Sequence, residues 1–236
     1  MKLTVVGCSP AWPNPGRAHS GYLLEHEGGR LLVDCGPGVL SRLRETEGWP
    51  LVDAIAITHT HLDHCGDLVA WLWGQLHVPA AKMATPPVLW LPPGGHNDLR
   101  TMASRFDEVF SVNEYADRTP FTAVGFSITP HAVSHYDQPT FGLRIEAGDN
   151  VVAFSADTGP TQALTELAAD ADLFLCEATL AHGALDGEPR GHLSLKEAET
   201  AFAESGAGTL LVTDRPAELP VPVNRLLAFD GLQIDV

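Results

Sequence analysis

The stretch His59-Thr60-His61-Leu62-Asp63-His64 follows directly on the apolar run Ala54-Ile55-Ala56-Ile57-Thr58. Its three imidazoles and one carboxylate are nitrogen and oxygen donors suited to Zn²⁺ and similar divalent ions. A strand delivers the chain to a sheet edge, where the alternate residues His59 and His61 point the same way and can share one ion. Asp63 and His64 lie further round the turn and can face a second ion beside the first. The plainer reading is a solvated loop that happens to be rich in histidine. The buried-strand lead-in and the helical pattern over residues 66–76 argue against it.

On the N-terminal side, residues 2–6 read as a short strand and residues 10–16 as a Pro- and Gly-rich loop. Residues 20–25 and 30–34 form a hairpin about Gly28-Gly29. Asp34-Cys35-Gly36-Pro37-Gly38 then opens a helix over 39–47, where Asp34 by itself reads as the N-cap or a turn residue. On the C-terminal side, Leu68, Leu72 and Leu76, with Trp71 and Trp73 alongside, form a helix face explained by core packing. A strand over 88–91, a helix over 97–110 and a strand over 121–129 follow. Two more histidines, His131 and His135, precede the strand that holds Phe141-Gly142-Leu143. The strand over 150–155 ends at Asp157, which by itself can be a turn former or a cap. Another strand, 172–176, runs into Glu177-Ala178-Thr179. Ser194 and Glu197 have capping-box spacing and predict a helix over 195–204. His192 therefore sits just before a helix N-terminus, where free amides and the helix dipole favour an anion. It is either a phosphoryl-handling group or a loop histidine bonded to a backbone carbonyl. The strand over 209–213 ends at Asp214-Arg215-Pro216, and residues 226–236 predict an edge strand.

His-x-His-x-Asp-His after an apolar strand resembles the metallo-β-lactamase fold superfamily, as does Leu31-Leu32-Val33-Asp34-Cys35-Gly36, a resemblance that implies Asp34 supports the metal loop from behind. Glu177-Ala178-Thr179 and Gly191-His192 are similar to its ribonuclease Z-like and cyclic-phosphodiesterase branch. The resemblance implies an α/β fold, a four-layer αββα sandwich formed by one domain over 1–236, with metals at one edge. It implies that His59, His61 and His135 hold one ion, with His135 chosen over His131 by its place in the motif. Asp63 and His64 would hold the second ion, and Asp157 would bridge both. It also implies that Asp63 orients a hydroxide shared by the ions and that His192 serves a phosphoryl oxygen or leaving group, with Glu177 among the catalytic residues. Two divalent ions are expected, zinc first. Where the family usually has a final histidine, this chain has Asp214. If Asp63, Asp157 and Asp214 all bind, two divalent ions and a hydroxide sum to formal neutrality, which favours harder Mn²⁺ or Fe²⁺ and weakens attraction for an anionic diester. Alternatively Asp214 pairs with Arg215 and only the first site fills.

The expected function is a metal-dependent hydrolase, foremost a phosphodiesterase for a small, even cyclic, diester. Hydrolysis of a lactone, thioester or other neutral acyl substrate is the first alternative. A metal-binding or regulatory protein with an impaired second site is the next, and a single-iron redox role also occurs in the resembling family. A net charge of −16 without any cluster of Lys or Arg argues against long nucleic acids and for a small-molecule substrate. No apolar run approaches the ~20 residues of a membrane helix, and the apolar part of the opening residues is too short for a secretory signal. Four cysteines without paired spacing predict free thiols in a reducing, cytoplasmic setting. Homodimers are common in the resembling family.

Overall fold

In the computed structural model, whose described residues are 1–45 and 48–236, the strands sort into two seven-stranded sheets. The first holds β1 (Lys2–Gly7), β2 (Gly21–His26), β3 (Gly29–Val33), β4 (Ala54–Ala56), β5 (Val88–Leu91) and β6 (Val112–Glu114). The second holds β7 (Phe121–Ala123), β8 (Phe126–Val133), β9 (Thr140–Ala147), β10 (Asn150–Phe154), β11 (Leu173–Glu177), β12 (Thr209–Thr213) and β13 (Leu226–Leu227). The last strand, β14 (Gln233–Asp235), returns to the first sheet and pairs antiparallel with β1.

Strand periodicity explains the layering. In β3, Leu31 and Val33 face the second sheet while Leu32 faces outward, and in β11 Leu173 and Leu175 face the first sheet while Phe174 faces outward. Leu3, Val5, Tyr22 and Leu24 meet Phe126, Ile128, Leu143, Ile145 and Phe154 between the sheets. Outside the first sheet pack α1 (Val39–Leu43), α2 (Leu62–Cys65), α3 (Asp67–His77), α4 (Pro79–Met83) and α5 (Gly95–Met102). Leu68, Trp71 and Leu72 of α3 are fully buried there, whereas Trp73 lies exposed and stacks on His77. Outside the second sheet pack α6 (Ala163–Leu167) and α7 (Leu195–Ser205), through Leu164, Leu167, Ala198 and Ala201. The result is the αββα sandwich.

The strand directions place the site. β3, β4, β5 and β6 run parallel, as do β10, β11, β12 and β13, and β8 is parallel to β10 through the antiparallel β9. The C-terminal ends of β3, β4, β8, β10, β11 and β12 lead to Asp34, His59, His135, Asp157, Glu177 and Asp214. Crevices outside such strand ends are where open α/β sheets bind ligands.

Several expectations are corrected. The strand expected over 121–129 is a hairpin, because Val124 (φ 47°) and Gly125 (φ 91°) turn the chain between β7 and β8. The helix expected over 97–110 ends at Met102, where Ala103 turns extended, and a separate 3₁₀ turn spans Phe106–Glu108. The helix expected over 39–47 is helical over Val39–Leu43, and its expected end at Glu47 lies outside the described residues. Its N-cap is Gly38, so Asp34 caps nothing. The segment 226–236 supplies an edge to each sheet rather than one strand. The capping box of Ser194 and Glu197 forms as expected, and α7 ends on Gly206 in the left-handed conformation.

Candidate metal centre

His59 and His61 leave the end of β4, and Asp63 and His64 lie on the short α2 that follows. His61 Nδ1 stands 3.1 Å from His59 Nε2 and 3.0 Å from His135 Nε2. The donor atoms of His59, His61 and His135 lie within 4.8 Å of one another, as do those of His59, His64 and Asp157, and of His135, Asp157 and His192. Asp157 connects the groups. Its Oδ1 lies 3.4 Å from His64 Nε2, and its Oδ2 lies 3.9 Å from His135 Nε2 and 4.0 Å from His192 Nδ1. Asp63 Oδ2 approaches His64 Nε2 to 3.5 Å.

The far nitrogen of each buried ring has an acceptor, which sets its tautomer. His135 Nδ1 donates to the carbonyl of Gly191 at 2.8 Å, and His64 Nδ1 donates to Asp34 Oδ2 at 2.7 Å. His59 Nδ1 faces Thr58 Oγ1 at 3.1 Å, and that hydroxyl in turn donates to Asp34 Oδ1 at 3.0 Å. Each Nε2 lone pair is therefore left for the centre. Backing of this kind orients metal-ligating histidines. Asp34, fully buried, also accepts from the Thr58 amide at 2.9 Å and from Ser20 Oγ at 3.0 Å. It thus supports His64 and His59 from behind. Replacing Asp34 with asparagine, which offers one acceptor in place of two, is expected to weaken metal affinity about 10–100-fold. Metal titration against a competing chelator measures this; unchanged affinity would reduce Asp34 to a loop-building role.

The electrostatics match the packing. Burial pushes the pKa of His59 well down. Burial acts the same way on His64, but the Asp157 and Asp34 carboxylates outweigh it and hold the pKa well above the ordinary histidine value. Burial and the neighbouring Asp157 carboxylate push Asp214 well up. Both carboxylate oxygens of Asp214 are buried without a hydrogen-bond partner among the described residues. Arg215 does not pair with it: that guanidinium donates to the carbonyls of Pro220 and Ala178. An orphaned buried carboxylate beside a second carboxylate is a costly arrangement without a cation. The His/Asp groups present therefore fit a divalent ion, whereas Asp214 lies outside the three groups of donors.

His192 stands at the open side. Its Nδ1 lies 3.0 Å from Glu177 Oε1. Burial opposes its charge, yet the Glu177 carboxylate raises its pKa to about 9. Glu177 is fully buried and also accepts from the amides of Thr158, Thr179 and Leu193. Grouped with the catalytic residues in the sequence reading, it faces the His192 ring and lies outside the three groups of metal donors. His131 lies apart from the three groups of metal donors, with its Nδ1 buried and unpartnered among the described residues.

The loop carrying His192 is tied to the helix cap. Arg190 pairs with Glu197 Oε1 at 2.7 Å and donates to the carbonyl of His192 at 3.0 Å. Arg190 and the capping bonds hold the Glu197 pKa down at about 2. A depressed carboxylate adds stability that is present above its ordinary value of about 4.3 and is lost as pH falls toward the folded value. Stability should therefore decline between pH ~4.3 and ~2 in part through Glu197. Glu197→Gln should lower the urea midpoint at neutral pH and flatten its acid dependence. Parallel acid profiles for the two proteins would count against this.

A family model described as the beta-lactamase superfamily domain matches residues 29–213. The chain is 33% identical over 226 residues to the uncharacterised protein Rv1339 of Mycobacterium tuberculosis, with 92% of this chain and 81% of that protein covered. This chain belongs to the metallo-β-lactamase fold superfamily. It is 31% identical over 218 residues to the probable metallo-hydrolase YhfI of Bacillus subtilis, covering 92% of this chain and 87% of that protein. The crystal structure of YhfI superposes with a TM-score of 0.84 at 25% identity over 99% of both chains. Ribonuclease Z of Salinibacter ruber is 28% identical over 285 residues, with 94% and 87% covered. The kinship is with metallo-hydrolases, and the His/Asp groups of this member suit a divalent metal. No helix among the described residues is long and apolar enough to cross a membrane.

Thr58, Tyr136 and Asp186 escape the sequence reading. Thr58 relays Asp34 to His59, and Asp186 accepts from the amides of Gly191 and His192 at 2.8 and 3.0 Å. Tyr136 has a visible signal, its place directly after His135. Asp186 has none, because the loop fold alone brings it back to His192.

Proposed function

We propose that this protein is a metal-dependent phosphodiesterase acting on a small diester. His59, His61, His135 and Asp157 would hold one ion, and Asp63, His64, Asp157 and Asp214 a second. Zinc suits the imidazole-rich first group, and the carboxylates of the second also admit Mn²⁺ or Fe²⁺. When bound, such ions supply Lewis acidity and lower the pKa of water. The protein's own groups divide the proton work. Asp63, whose Oδ2 lies 3.5 Å from His64 Nε2, would accept a proton of the attacking water as an ionised carboxylate. His192, charged at neutral pH, gives its Nε2 proton to the leaving oxygen as the P–O bond breaks.

The observation that carries this reading is the pairing of partly exposed His192 with buried Glu177 beside Asp157. A protonated imidazole held beside the metal-donor groups suits a phosphoryl group, whose oxygens bear charge in ground and transition states. Ribonuclease Z kinship supports phosphodiester chemistry. The net charge of −16 supports a small substrate over a polynucleotide. The unpartnered Asp214 carboxylate favours one rival: an added negative charge weakens attraction for a diester and suits a neutral acyl substrate better.

The test is hydrolysis of an activated phosphodiester beside an activated neutral ester, by protein reconstituted separately with Zn²⁺ and Mn²⁺. Diester turnover that disappears in His61→Ala is the expected result. Ester turnover alone would transfer the assignment to acyl hydrolysis.

A further inference from the structure

Tyr136 directly follows His135 and carries a backbone φ of 49°. A left-handed conformation at a bulky residue is uncommon and persists where its surroundings over-determine it. Here the surroundings fix the ring. Its centroid lies 4.9 Å from that of His135 and 5.7 Å from that of His192. Its hydroxyl donates to Asp186 Oδ1 at 3.0 Å. The ring packs against Gly191, where an added Cβ would collide with it. Gly191 is thus the residue that lets the ring lie there.

Despite these anchors Tyr136 is 43% exposed. Trp12, Trp73 and Phe229 are also exposed, but among the described residues Tyr136 is the exposed aromatic in ring contact with the histidines of the centre. Leu62, next to Asp63, and Leu185, next to Asp186, add exposed apolar surface on segments that carry site residues. A ring held at its hydroxyl and against Gly191 loses little freedom when a planar group stacks on its open side.

The geometry points to Tyr136 as a stacking platform for a nucleobase, so that the substrate is a nucleotide diester whose base lies on this ring while its phosphate meets the centre. This rests on the phosphodiesterase reading and names its substrate class. Among compounds that join an aromatic plane to a phosphodiester, nucleotides are the general class, and base–aromatic stacking tolerates any base.

Two paired probes test it with wild-type, Tyr136→Phe, Tyr136→Leu and Tyr136→Ala protein. A cyclic adenosine phosphate and the same cyclic phosphate on a ribose lacking the base are compared as substrates. Adenosine monophosphate and ribose phosphate are compared as ligands by calorimetry, without turnover. Wild type and Tyr136→Phe should prefer the base-bearing compound by about tenfold or more, within the range of base–aromatic stacking. Tyr136→Ala and Tyr136→Leu should lose that preference. A wild type indifferent to the base, or an alanine variant that keeps the preference, overturns the inference. If the alanine variant does not fold, the leucine and phenylalanine variants decide. If no diester is cleaved while the ligand preference depends on Tyr136, the stacking site stands and the hydrolytic reading falls. Equal cleavage of both substrates by wild type and variants gives the reverse.

Discussion

Replacing Asp157 by alanine is expected to strip metal from the centre and lower hydrolysis at least ~10³-fold, because the metal's stabilisation of developing charge is worth several kcal/mol. Its two oxygens face different donor groups, Oδ1 toward His64 and Oδ2 toward His135 and His192. Loss of one carboxylate therefore leaves both sets of ligands incomplete. It also removes the largest charge that holds the His64 pKa up. Metal content by mass spectrometry, read beside turnover, measures the effect. Full metal content with turnover within tenfold of wild type would return Asp157 to a turn-forming role.

A second large effect is expected at His192. His192→Ala should lower kcat ~10²–10⁴-fold, the range of general acid–base catalysis, while metal content stays unchanged. If the imidazole protonates the leaving oxygen, the loss should shrink for a nitrophenolate leaving group, which departs without a proton. Equal losses for good and poor leaving groups would remove the acid role and leave His192 to hold a phosphoryl oxygen. Glu177→Gln should cause a smaller loss and shift the basic limb of the pH–kcat profile to lower pH, since the carboxylate raises the imidazole pKa. Burial and hydrogen bonding alone, without charge, would leave that limb in place.

Residues adjacent in the chain were the legible part of the site. His59, His61, Asp63 and His64 follow one strand, and the geometry of a strand end already implies a shared focus. The capping box was legible too, since its bonds span only Ser194 to Glu197. The resemblance supplied His135, Asp157, His192 and Asp214; local pattern left Asp157 as a turn or cap residue and His192 as a loop residue. What stayed hidden depends on backbone conformations that propensity disfavours. Val124 is a β-branched residue at positive φ, so the turn between β7 and β8 carried no signal beyond Gly125. Asp34, Tyr136, Ala156 and Asp214 also adopt positive φ around the centre, each bending the chain where a regular strand would have carried the side chain elsewhere. Local rules fail where the site is built, as expected of functional regions.

Asp214 has a consequence for handling the protein. Folding without a cation must bury a carboxyl group that no hydrogen bond among the described residues satisfies, a cost of about 1–3 kcal/mol. An ion bound at this carboxyl group would offset that cost and add its own binding free energy to the native state, ~2.7 kcal/mol when free metal is a hundredfold above its Kd. Occupancy and thermal stability are thereby linked, so a melting curve works as a metal gauge. The chelated protein should melt at a lower temperature, and the cation that restores the most stability identifies the ion this centre was shaped to hold.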